Sequence, residues 1–210
     1  MKRRRPLTTK LDDMQAYERL DPSGLRHRLR GLPNQCSQAW TRAQEWAPPD
    51  KFLNAGIFER VVICGMGGSA IAGDLAADLA ALQASGPITV IRDFHLPFKL
   101  DSKTLFIASS HSGNTEETVS LFHQALQSDA QVMGITGGGV VLAEAESQGI
   151  PHLVIDAPGE PRSAVGYSLM LVLGVLTRLG FMTISESDVN PEFGEAYFKN
   201  CTQAEFASYD

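Results

Sequence analysis

The chain has 210 residues, of which 43% are hydrophobic and 20% charged, and its net charge is −6 with a pI near 5.4. That length supports one well-buried domain with additional segments and is short for two. The acidic balance excludes general nucleic-acid binding and attachment to a membrane surface as expectations. Residues 1–23 read as a leader. Its one basic run, Lys2-Arg3-Arg4-Arg5, continues into polar residues, which fits a solvated tail and not a signal peptide. No apolar run has the length needed to cross a bilayer. Cys36, Cys64 and Cys201 are few, odd in number and widely spaced, as in a reduced, cytoplasmic protein without disulfides or a metal knuckle. Cys64, at the end of an apolar run, reads as a small core residue.

Residues 24–47 form a helical region with Leu25, Leu29, Leu32, Cys36, Ala39, Trp40, Ala43 and Trp46 on one broad face, and Pro33 is expected to bend or split it. Ala47-Pro48-Pro49-Asp50 breaks the chain. Strands and helices then alternate. The expected strands are Arg60–Cys64, Ile88–Arg92, Thr104–Ser109, Gln131–Thr136 and His152–Ile155, with helices near 69–83, 115–127, 139–148 and 162–180. The strands are short continuous runs rich in Val and Ile, the pattern of a parallel sheet covered on both faces. Right-handed crossovers then give an α/β, three-layer αβα sandwich with a five-stranded parallel sheet of order 2-1-3-4-5. The domain is expected over 24–182. Residues 183–210 form a polar tail whose aromatics, Phe193, Tyr197, Phe198 and Phe206, need cover from the domain or another subunit.

Two loops carry the chemistry. Ser109-Ser110-His111-Ser112-Gly113-Asn114-Thr115-Glu116-Glu117-Thr118 follows the third strand and opens a helix. The first N–H groups of a helix lack internal partners, so a hydroxyl cluster there makes an anion site. With no Lys or Arg in the segment, neutral donors and the helix dipole would suit a phosphate monoester. The second loop, Gly65-Met66-Gly67-Gly68-Ser69-Ala70, follows the first strand. In a 2-1-3-4-5 sheet these two loops flank the point where the strand order reverses, which is where ligands bind. Gly65, Gly67 and Ala70 also satisfy the dinucleotide fingerprint, with Asp93 near the end of the second strand. A dinucleotide does not need Ser110, Ser112 and Thr115, however, whereas a phosphate can use them with Ser69. Each residue alone could equally be an N-cap or turn residue. A serine-hydrolase elbow at Ser112 would require glycine at Ser110.

With Pro161-Arg162-Ser163-Ala164, these motifs resemble the sugar isomerase (SIS) domain, and more narrowly the amino-terminal half of the bifunctional phosphoglucose/phosphomannose isomerases. Leu11-Asp12, Tyr17, Asp21-Pro22-Ser23-Gly24-Leu25 and Leu32-Pro33 resemble that family's leader; the likeness runs over about residues 10–185. It implies isomerisation of glucose 6-phosphate and mannose 6-phosphate to fructose 6-phosphate. Ser69, Ser110, Ser112, Asn114 and Thr115, with Gly67 and Gly68, would hold the phosphate. Arg162 would stand beside the developing oxyanion, and His111 would touch the substrate or replace a tyrosine that the family has at that position. The family takes its catalytic glutamate and a histidine from a second SIS domain, which this chain does not match, so a fragment or shortened relative is expected. Glu117 reads as a first-turn helix acid, and Glu160, Glu192 and Glu195 are stand-ins for the base with no motif behind them. No metal or other cofactor is implied. The expected partners are a phosphosugar and a second copy of the chain. The alternatives are a non-catalytic phosphosugar-binding module and, on the glycine loop alone, an NAD-type dehydrogenase.

Overall fold

The computed structural model describes residues 14–53, 58–83 and 85–189. Four helices come first: α1 (Met14–Leu20), α2 (Leu25–Arg30), α3 (Leu32–Glu45) and α4 (Asp50–Leu53). The alternating part runs β1 (Arg60–Cys64), α5 (Gly67–Leu82), β2 (Ile88–Ile91), β3 (Thr104–Ser110), α6 (Glu116–Leu126), β4 (Gln131–Thr136), α7 (Gly139–Gln148), β5 (His152–Val154) and α8 (Val165–Arg178). All five strands are parallel, in the order β2-β1-β3-β4-β5. The sheet order and all five strands match the sequence expectation, with end residues shifted by at most one.

The pleat divides the core in two. Val61, Ile63, Leu105, Ile107, Met133 and Ile135 face α5 and α8, while Val62, Cys64, Phe106, Ala108 and Val132 face α6 and α7. Both faces are dry, so the strands need no polar alternation and read as continuous apolar runs. Each fully buried Ile, Leu or Phe contributes about 1.5–3 kcal/mol. Cys64 is completely buried in the second cluster, where loss of solvation pushes its thiol pKa up. α3 lies outside α8 and buries Ala39, Trp40 and Ala43 against the first cluster.

Two helical expectations are corrected. The 24–47 region breaks at Gly31, between α2 and α3, and not at Pro33. Pro33 occupies the first turn of α3, where its missing N–H costs nothing and its fixed φ suits the helix. Leu29 accordingly leaves the buried face and is 42% exposed. The last helix is also interrupted: Pro161–Ser163 form a 3-10 turn, and α8 starts at Val165. Among the described residues, no helix is long and apolar enough to cross a membrane. Cys201 and the aromatics from Phe193 to Phe206 lie outside the described residues.

Candidate active site

β1 leads through Gly65 and Met66 into α5, and β3 leads through residues 111–115 into α6; the sheet order reverses between these two strands. Neither N-cap residue, Met66 or Thr115, supplies a side-chain cap. The first-turn N–H groups of Gly67, Gly68, Glu116 and Glu117 therefore keep their donor capacity at the carboxyl edge of the sheet. Glu116 and Glu117 sit in the first turn of α6, where the helix dipole favours them.

The two loops are joined to each other. The backbone N–H of His111 donates to the Ser69 hydroxyl at 3.1 Å, and the Ser109 hydroxyl donates to the Ser69 carbonyl at 3.2 Å. Within the second loop, the Ser110 hydroxyl accepts the Gly113 N–H at 3.0 Å and lies 3.2 Å from the Thr115 hydroxyl. The Ser112 hydroxyl accepts the Asn114 N–H at 3.2 Å. Thr136, at the end of β4, donates its hydroxyl to the Ser110 carbonyl at 2.7 Å. Ser69 and Ser110 are buried, while Ser112 is exposed. Asn114 has a different setting: its Oδ1 accepts the Val140 N–H at 3.0 Å and braces the loop against α7.

Gly113 sets the shape of this loop. Its φ is +67°, and a Cβ there would lie 1.7 Å from the Gly138 carbonyl oxygen and 2.9 Å from Thr136 Oγ1. Only glycine allows both the left-handed turn and this approach of two backbones.

The Pro161-Arg162-Ser163 turn packs directly on the glycine loop, since a Cβ on Gly68 would meet the Pro161 carbonyl carbon at 3.1 Å. All three motifs are thus contiguous in space. Arg162 is exposed on this turn. The His111 ring reaches the same connection, with Nε2 3.1 Å from the Ala157 carbonyl. A carbonyl only accepts, so Nε2 carries a proton.

Glu160, one residue before the turn, pairs with Arg28 of α2 at 2.5 Å. Its own backbone N–H, reinforced by the Arg28 and Arg162 charges, holds its carboxyl below the usual carboxylate range against some opposing desolvation. A general base needs the reverse, a raised pKa, so Glu160 is unsuited to stand in for the base. Glu192 and Glu195 lie outside the described residues. Sequence reasoning missed Arg28, Gln35 and Thr136, whose contacts with the loops span 26 to 135 positions and leave no local signature. Among the described residues, no group of three or more His, Cys, Asp or Glu side chains is placed to hold a metal ion.

No family model matches the chain. Over 151 residues it is 43% identical to a bifunctional phosphoglucose/phosphomannose isomerase of Caldicellulosiruptor bescii, a stretch covering 72% of this chain and 44% of that protein. A Thermoplasma acidophilum protein of the same name is 38% identical over 138 residues, covering 66% and 42% of the two chains. The matched region therefore spans less than half the length of these relatives. Among solved structures, tagatose-6-phosphate ketose/aldose isomerase from Escherichia coli superposes with a TM-score of 0.58 at 16% identity, covering 87% of this chain and 53% of that one. The C-terminal domain of glucosamine-fructose-6-phosphate aminotransferase from Francisella tularensis gives 0.56 at 17% identity, covering 82% and 52%. At such identities the structural likeness speaks for the fold alone, while the sequence matches speak for descent. The chain is a homologue of the bifunctional phosphoglucose/phosphomannose isomerases with an SIS-type fold.

Proposed function

We propose that the chain supplies the amino-terminal SIS domain of a phosphosugar isomerase that interconverts glucose 6-phosphate or mannose 6-phosphate with fructose 6-phosphate. The observation that carries this reading is the bond from His111 N–H to the Ser69 hydroxyl, which fixes two uncapped helix starts and their hydroxyls around one crevice. In this reading Ser69, Ser110, Ser112 and Thr115 hold the phosphate with the N–H groups of Gly67 and Gly68, and Asn114 keeps the loop in shape. The phosphate does not react, so its binding energy positions C1 and C2 for proton transfer. Arg162 opposes the charge that develops on the enediolate oxygen, and its permanent fork of donors suits that task. His111 holds the Ala157 connection and offers Nδ1 to a sugar hydroxyl. The carboxylate base comes from a second domain or subunit, because Glu160 is occupied by Arg28.

The test is thermal denaturation with and without millimolar glucose 6-phosphate, mannose 6-phosphate or fructose 6-phosphate. Ligand that binds only the folded chain raises its melting temperature. Ser110→Ala with Ser112→Ala should abolish the shift; a surviving shift overturns the phosphate assignment. The engagement of Glu160 favours a second reading, a phosphosugar-binding module without turnover. Isomerisation of fructose 6-phosphate by the chain alone, followed by a coupled dehydrogenase, would eliminate that reading.

We also place the protein in the cytoplasm as a homodimer. Ile71, Leu75 and Leu82 on α5 are 46%, 41% and 84% exposed, an apolar stripe suited to a two-fold contact with a second copy. Sedimentation should give a dimer at micromolar concentration; a monomer would refute the contact.

A further inference from the structure

The turn that carries Arg162 has little rigidity of its own. It is a three-residue 3-10 turn closed by two backbone bonds, Ser163 N–H to the Glu160 carbonyl and Ala164 N–H to the Pro161 carbonyl. What fixes it comes from elsewhere. One side abuts Gly68 of the glycine loop. On the other side stands Arg28, from the short helix that follows Asp21-Pro22-Ser23-Gly24. Its Nε donates to the Ser163 hydroxyl at 3.1 Å, one Nη pairs with Glu160 at 2.5 Å, and the second Nη donates to the Ser23 carbonyl. Gln35 adds a bond from Nε2 to the Ser163 carbonyl at 2.9 Å. The fit is close, because a Cβ at Gly159 would lie 2.6 Å from Arg28 Nε. The Arg28 side chain is only 17% exposed, so its charge depends on these partners.

Glu160 therefore faces two arginines. Arg28 takes it, and Arg162 forms no salt bridge among the described residues. We propose that Arg28 is a positioning residue, which holds the 160–163 turn and occupies Glu160 so that the Arg162 guanidinium stays available to an oxyanion. This gives the helices that precede the sheet, α2 and α3, a role in the site, which no local motif in them suggests. The inference rests on the phosphosugar reading above. Without Arg28, the Glu160 carboxylate would be left unpaired two residues from Arg162, the other cation whose charge acts on it.

The experiment compares two probes by calorimetry on the full chain. Inorganic phosphate reports the hydroxyl cradle alone. 5-Phospho-D-arabinonate adds a carboxylate where an enediolate would carry charge. Arg28→Ala should weaken the arabinonate about tenfold and leave phosphate within about twofold, the loss of one charge-assisted contact. Adding Glu160→Gln to Arg28→Ala should restore the arabinonate affinity to within about threefold, since a neutral side chain no longer captures Arg162. Arg28→Lys keeps a cation beside Glu160 without the fork, and should lose about threefold; it serves if the alanine variant does not fold. Equal loss of both probes, or no rescue by Glu160→Gln, would overturn the role of Arg28. A wild-type chain that binds neither probe overturns the phosphosugar reading itself and the proposal with it, a pattern distinct from selective loss in the variant.

Discussion

Replacing Gly113 with alanine should cost far more than the same change at another left-handed glycine. At Gly113 the φ of +67° adds about 1–2 kcal/mol of strain for a residue with a Cβ. The Cβ would also stand 1.7 Å from the Gly138 carbonyl oxygen, an atom of backbone that cannot rotate away. Forcing the two loops apart adds about 1–3 kcal/mol, as overpacking does elsewhere, and endangers the Val141 N–H bond to the Gly113 carbonyl. The total is about 2–5 kcal/mol, which in a chain of this size lowers the melting temperature by roughly 4–20 °C. Gly149 is the control: φ is +65°, but nothing lies within 4 Å of its Cβ position. Gly149→Ala should lose only the strain, about 1–2 kcal/mol. Calorimetric melting of both variants, with urea denaturation to check that m is unchanged, separates the two contributions. Equal losses at the two positions would refute the close approach of residues 113 and 138. The hexose 6-phosphate shift should vanish in Gly113→Ala and persist in Gly149→Ala.

Ser110→Ala should lower stability by about 0.5–1.5 kcal/mol, because it removes the hydroxyl that Thr115 meets and one of the two acceptors of the Gly113 N–H, which keeps the Ser110 carbonyl at 3.2 Å, whereas Ser112→Ala at an exposed site should stay within about 0.5 kcal/mol; chemical denaturation distinguishes them. Asp21 accepts the Arg26 and Leu25 N–H groups at 2.8 Å each, which lowers its carboxyl pKa below the ordinary 3.8. A depressed folded pKa means the stabilisation is complete above the ordinary value and fades as pH drops through the folded one. Asp21→Ala should therefore melt below wild type at pH 7, with the gap closing under pH 4; a gap independent of pH would contradict this. Cys64 should resist iodoacetamide at pH 8 in the native protein and react in urea, as read by peptide mass spectrometry; native modification would contradict its burial.

The sheet was legible because its strands are dry on both faces, so Val61–Cys64 and Leu105–Ala108 appear as unbroken apolar runs between glycine- and serine-rich turns. Sheet order followed from strict strand–helix alternation with right-handed crossovers, and the shared crevice of the two loops followed from that order. Residues whose neighbours are local in sequence, such as Ser110 with Gly113 and Thr115, could be placed from spacing alone. Contacts made across the fold could not. Arg28 is one of three arginines in a six-residue helix, and nothing nearby marks it as the one that meets Glu160. Glu160 looked like a spare carboxylate for the same reason. The α2–α3 break was misplaced because Pro33 reads as a helix breaker in isolation, whereas in the first turn it is an initiator.

Each serine hydroxyl of the cradle already commits one of its two lone pairs to a backbone N–H group: Ser69 to His111, Ser110 to Gly113 and Ser112 to Asn114. Their hydrogens remain for a visitor, except the one shared between Ser110 and Thr115, and the neighbouring amides can only donate. A surface where donors outnumber acceptors discriminates by protonation state, since a guest oxygen without its own hydrogen can use more of them. A phosphate ester would accordingly be held as the dianion, and its grip would tighten as the solution passes upward through the ester's second ionisation near pH 6.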